Sequence, residues 1–238
     1  MADTRIRLGS LSGTEALGID EGLRAYMLRV YNLMGLGLAL SGAVALFVAS
    51  SPAIQTAIYG SALAWVVMLA PLAFVLALSF GIQKMSAATA QLVYWGFAVA
   101  MGLSLSSIFL VYTGASVARV FFISAATFGA MSLYGYTTKR DLTQFGSFLF
   151  MGLIGIVIAS VVNMFLASSG LSFAISVIGV LVFVGLTAHD TQRIRQMYVE
   201  SDSGEVAQKK AIHGALSLYL DFINLMMLLL RLFGDRRN

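Results

Sequence analysis

The chain has 238 residues, 59% of them hydrophobic and 11% charged. Soluble domains carry roughly 25% charged residues, so this is a membrane composition, with length for roughly six to eight spans. Cysteine is absent, which excludes a disulfide framework, a zinc–thiolate centre and an Fe–S cluster. The net charge of +4 speaks of loop orientation rather than nucleic-acid binding.

The N-terminal stretch ADTRIRLGSLSGTEALGIDEGLR is polar and of mixed charge. It lacks the apolar core of a cleavable signal peptide, so the first span is expected to direct insertion itself. Residues 1–24 read as a cytoplasmic arm and 25–238 as one transmembrane domain. Seven apolar segments then follow, at about 30–49, 54–80, 89–111, 117–136, 143–166, 171–191 and 212–233. The fold class is all-α, an integral membrane protein of seven helices. Ser50-Ser51-Pro52 and Ala167-Ser168-Ser169-Gly170 break the first and fifth pairs. Pro71 should kink the second span. Glycine, alanine and serine inside the spans imply close helix packing.

Basic residues set the orientation. Arg5, Arg7, Arg24, Arg29, Lys84, Lys139, Arg140, Arg193, Arg195, Lys209 and Lys210 all fall on one side if the N-terminus is cytoplasmic. The opposite loops hold only Arg119. Arg231, Arg236 and Arg237 follow span seven. They would lie outside if that span crosses and inside if it re-enters, so the last segment is read as a crossing with a re-entrant alternative.

Of eleven acidic residues, nine lie in the arm, the loops or the tail. Asp190 and Asp221 do not. A carboxylate at a spanning helix's centre costs about 2.5–3.5 kcal/mol, so something must offset it. Asp221 lies eight residues beyond His213, about 12 Å along a helix. If span six continues to about Met197, the two aspartates reach similar depth and can meet across one interface. Two carboxylates in contact in a low dielectric cannot both ionise cheaply and titrate as a pair. His213, Ser217, Asp221 and Asn224 form one stripe at spacings of 4, 4 and 3,. Thr187, Asp190, Thr191 and Ile194 are expected to share a face of span six. Taken alone, Asp190 reads equally as an interfacial residue paired with Arg193 or Arg195. His189 is placed to tune it. Asn163 is expected to make an interhelical hydrogen bond.

Several chemistries are excluded by pattern. An intramembrane aspartyl protease of the presenilin type needs Gly-x-Gly-Asp, and the contexts here are TAHD and LYLD. A retinal protein needs a lysine inside its last span, and this one has none. No phosphate-binding loop, HExxH or GxSxG is present, so no enzyme activity and no cofactor is expected.

Three pieces resemble the Bax inhibitor-1 family: ISAATFGAMSLYGYTTKRDLTQFGSFLFMGLIG at 123–155, HDTQRIR at 189–195 and ALSLYLDFINLMMLLLRLFG at 215–234. The resemblance implies that outer spans surround a central last helix. It implies a pH-sensitive calcium leak gated by two aspartates, which fall on Asp190 and Asp221, with calcium as the permeant ion. Transient calcium would meet these carboxylates, Ser217, Asn224 and water, short of the six to eight oxygens of a tight cage. Arg193, His189 and His213 would stand around the pair. Lys84 is the nearest match to a latching basic residue. The family's acidic residue in span two is missing. Bacterial-type membership implies the inner (plasma) membrane. Bacterial relatives are linked to a membrane-bound AAA protease, so the alternative function is a regulator of such partners, recruited through residues 1–24. A proton-coupled transporter is a third reading, without an inverted repeat to support it.

Overall fold

The protein is described by a computed structural model covering residues 2–237, with side chains from residue 21 onward. The side chains of most of the N-terminal arm therefore lie outside the described residues. Among those described there is no β-strand. The helices are α1 (Ala2–Ala49), α2 (Pro52–Tyr59), α3 (Leu63–Gly81), α4 (Ala87–Leu105), α5 (Ile108–Val111), α6 (Gly114–Thr137), α7 (Thr143–Leu166), α8 (Ser169–Gln196) and α9 (Gly204–Phe233). Seven stretches are long and apolar enough to cross a membrane: Glu21–Ala49, Leu63–Lys84, Ala87–Val111, Gly114–Thr137, Thr143–Leu166, Ser169–Gln196 and Gly204–Phe233.

Local chemistry explains the starts. Ser86, Thr113, Ser168 and Ser203 each accept a backbone N–H from three residues ahead, capping α4, α6, α8 and α9,. Pro52 opens α2, where its missing N–H leaves nothing unsatisfied. The second apolar run was expected to be unbroken from 54 to 80, but the structure splits it at residues 60–62. The Gly60 N–H closes α2 on the Thr56 carbonyl at 2.9 Å. The Ser61 hydroxyl bonds back to Ala57 at 2.7 Å, offering the backbone an alternative to further helix. Tyr59 ties α2 to the Leu103 carbonyl at 2.7 Å. Helix α3 continues through a buried Pro71, losing one rung of its ladder.

In their most apolar stretches 61% of α9 is buried and 6% of α7, so α9 is the axis and α7 the outermost helix. Helix α9 touches α1, α3, α4, α6 and α8, whereas α7 rests on α8. Small residues allow the close approaches: a side chain at Gly102 would strike the Ser41 backbone, and one at Gly135 the Ala188 backbone,. At the centre the Ser41 hydroxyl donates to the Ala98 carbonyl at 2.6 Å and accepts from the Tyr219 hydroxyl at 2.7 Å. That bond set joins α1, α4 and α9.

The last helix is unbroken over Gly204–Phe233 and long and apolar enough to cross, without the break a re-entrant segment would need. After α9 the chain runs antiparallel to the α5–α6 connection. Arg237 N–H donates to Val111 at 2.8 Å, Thr113 N–H donates to Asp235 at 3.1 Å, and Arg119 pairs with Asp235 at 2.8 Å. This end is opposite the one carrying Lys84, Lys139, Arg193 and Lys209, called the basic end below. Arg231, Arg236 and Arg237 thus depart from the charge bias of the other loops.

Candidate functional site

Helices α8 and α9 run antiparallel, with Gly214 against Ile194 and Gly179 against Leu228. This register puts Asp190 level with residues 217–218 and Asp221 about one turn, ~5 Å, further from the basic end. The depths are therefore close but offset by about a turn. Helix α8 ends at Gln196 with Met197 as its cap, as the sequence suggests.

Helix α7 leans on α8 and stands off from α9. The gap is a cavity of about 830 Å³ lined by both aspartates, His189, Arg193, Ser217 and Asn224, with Thr143, Gly146 and Ser147 from α7. Asp221 is 6% exposed, and its Oδ2 has no hydrogen-bond partner among the described residues. A buried carboxylate oxygen left so is costly. A proton, a cation or water must answer it. Asp190 is half-buried with Oδ1 3.0 Å from His189 Nδ1, and its charge and that of Arg193 both act on Asp221. The His189 ring fills the space that a side chain at Gly146 would occupy, so α7 fixes its orientation.

The bland pairing of Asp190 with an arginine is not what forms. Arg195 donates to the Tyr136 carbonyl at 2.8 Å and lies over its ring. Arg193 makes no ion pair among the described residues, although it lines the cavity. His213 sits beside the pair, within range of the charges of Arg193 and Asp190, and its Nδ1 is buried without a partner. Asn224 donates from Nδ2 to the Leu220 carbonyl at 2.8 Å.

Other expectations fail for local reasons. Thr191 does not share the aspartate's face; its hydroxyl meets Ser132 on α6 at 3.0 Å. Asn163 makes no interhelical bond among the described residues. Its Oδ1 accepts the Ser168 N–H at 3.1 Å, closing the end of α7 where Ala167 turns left-handed at φ 49°. Lys84 is exposed at the end of its span and lines neither this cavity nor the next.

A second cavity of about 490 Å³ continues toward the other end, past Ser160, Asn163, Ser172 and Arg231. The two meet at Leu153, Val157, Phe183 and Asn224, which line both. A crevice thus follows α7 for most of its length, with the acid pair in one half and Arg231 in the other. The α7 contribution was missed because that helix has no charged residue. Arg231 was legible, ten residues after Asp221 on the same stripe. No group of three His, Asp or Glu side chains that could hold a metal ion occurs among the described residues.

Seven crossings around a buried last helix define an all-helical polytopic membrane protein. The chain belongs to the Bax inhibitor-1 family: the family model described as "Inhibitor of apoptosis-promoting Bax1" matches residues 23–238. It is 50% identical to the inner membrane protein YbhL of Escherichia coli K12, over 91% of this chain and 94% of that protein. It is 52% identical to RP147 of Rickettsia prowazekii, over 92% and 93%. The membrane protein SpyM3_0260 of Streptococcus pyogenes is 37% identical, over 90% and 94%.

Proposed function

We propose that the protein is a pH-sensitive calcium leak whose path is the crevice between α7 and the α8–α9 pair. The supporting observation is Asp221 Oδ2, buried without a donor in a cavity that also holds Asp190. With both carboxylates charged the pair attracts a divalent cation. Protonation removes that charge and alters the α8–α9 contact on which the neck at Leu153, Val157, Phe183 and Asn224 depends. Leak is expected to rise as pH falls, in line with the family resemblance. Calcium is cargo here: two carboxylates with Ser217, Asn224 and water give a passing site, not a cage. The inner-membrane name of YbhL supports the same location for this chain. The clustering of basic residues supports a cytoplasmic basic end.

The test is calcium entry into liposomes containing the purified protein at several pH values. Wild type should respond to pH, and Asp190→Asn and Asp221→Asn should each blunt that response. Unchanged flux and pH response in both variants would exclude the gate. The alternative, a regulator that binds a membrane-bound AAA protease through residues 1–24, is separated by deleting residues 2–20. A regulator loses its partner, while a leak persists.

A further inference from the structure

A second polar pocket lies at the basic end, away from the acid pair. It has a volume of about 650 Å³ between the end of α6, the start of α7 and the end of α8. Lys139, Arg140 and Arg195 line it, with one acid, Asp141. None of the three cations is ion-paired among the described residues. The Asp141 carboxylate is turned to Thr143, whose backbone N–H and hydroxyl it accepts at 2.9 and 2.6 Å. The loop is fixed rather than loose. Buried Gln192 takes the Leu142 N–H at 2.9 Å and donates to the Arg140 carbonyl at 2.8 Å.

Next to it, α1 and α6, joined at Tyr31 and Ser132, leave a groove of about 550 Å³. Its wall is mostly apolar, with Met27, Leu28, Phe128 and Leu133, and Arg24 lines it as well. The hydroxyls of Tyr31 and Ser132 in that wall bond to each other at 2.6 Å. The groove extends from Tyr136 down to Phe128, about 12 Å of helix. That is most of the ~15 Å hydrocarbon depth of one leaflet. Tyr136 is the junction: its ring lies under Arg195 at 5.5 Å and it lines the groove.

We propose that these two features form one site for an anionic glycerophospholipid. The phosphate sits among Lys139, Arg140 and Arg195, and an acyl chain lies along the α1–α6 groove. Cationic pockets between spanning helices at the membrane boundary suit such headgroups, and guanidinium matches phosphate geometry. A mostly apolar groove next to the cationic pocket, linked to it by Arg195 over Tyr136, favours a lipid over free phosphate. The site is independent of the leak.

The full chain in detergent is titrated with phosphatidylglycerol and with phosphatidylcholine of identical chains, and bound lipid is counted by native mass spectrometry. Wild type should prefer phosphatidylglycerol. Lys139→Gln with Arg140→Gln, both exposed and outside the packing, should reduce that preference roughly tenfold or more. Gly129→Leu fills the groove at a position where an added Cβ meets nothing within 4 Å, and should weaken both lipids. Arg236→Gln with Arg237→Gln, at the opposite end, should leave the preference intact. An absent preference, one surviving in the Lys139/Arg140 variant, or an equal loss in the Arg236/Arg237 variant overturns the site. Displacement of the lipid by millimolar inorganic phosphate, with Gly129→Leu without effect, overturns the lipid assignment.

Discussion

Asp141 shows how a single carboxylate outside the spans can hold a helix that few neighbours hold. Helix α7 has no side-chain cap from Leu142, the residue before it. Asp141 supplies one instead, and the Thr143 hydroxyl and N–H it accepts keep its carboxyl below the usual carboxylate range,. The sign follows from that lowering. The cap contributes fully above the unfolded value of about 3.9 and fades as pH falls through the lower native value. Asp141→Ala should therefore raise amide exchange at the start of α7 at pH 6. In wild type the same change should appear only under strongly acid conditions. At the same scale the sequence disclosed Asp190 and Asp221, because charge in an apolar run is visible without a structure. It offered His189 and the arginines Arg193 and Arg195 as partners of Asp190 without choosing between them, and the structure takes His189. That choice is made by the His189 ring resting in the space left at Gly146, a contact between residues 43 positions apart.

Among the elements, spans were legible wherever hydrophobic length alone decides; the second run is split at 60–62, the third divides into α4 and α5, and the last helix starts earlier, at Gly204. In the second run the break depends on Tyr59 reaching α4 and on Gly60 and Ser61 ending a short helix, signals weaker than the apolar run around them. The neighbours of each helix were less legible. Helix α9 carries polar residues on one stripe, so its crevice-facing side could be read; α7 has no charged residue and only scattered small polar ones, a weaker clue,. The contact that fixes the axis is also hidden in sequence, since Ser41 is one serine among many small residues. Ser41→Ala leaves the Tyr219 hydroxyl and the Ala98 carbonyl buried without it. That should destabilise the protein by about 1–3 kcal/mol, read as a lower midpoint of thermal unfolding in detergent. Ser124→Ala, which loses only a bond to its own helix at Val120, should change the midpoint little.

On the scale of the whole molecule, seven crossings put the two chain ends on opposite sides. The C-terminal arginines would have argued otherwise by charge bias. Pairing of residues 235–237 with the α5–α6 connection overrides that bias. Compartment-sensitive reporters fused at the two termini should accordingly report different sides of the membrane, and matching signals would refute the crossing of α9. Another whole-molecule property follows from the position of α7. Its surroundings are mostly lipid tails, which are as apolar as its own leucines, so moving it exchanges one contact for an equivalent one. At 24 residues it is about 36 Å long, longer than a typical ~30 Å hydrocarbon core. Such a helix is accommodated by tilting, by kinking or by local thickening of the bilayer. The gap between α7 and α9 is thus walled on one side by the helix on which a change in membrane thickness would act.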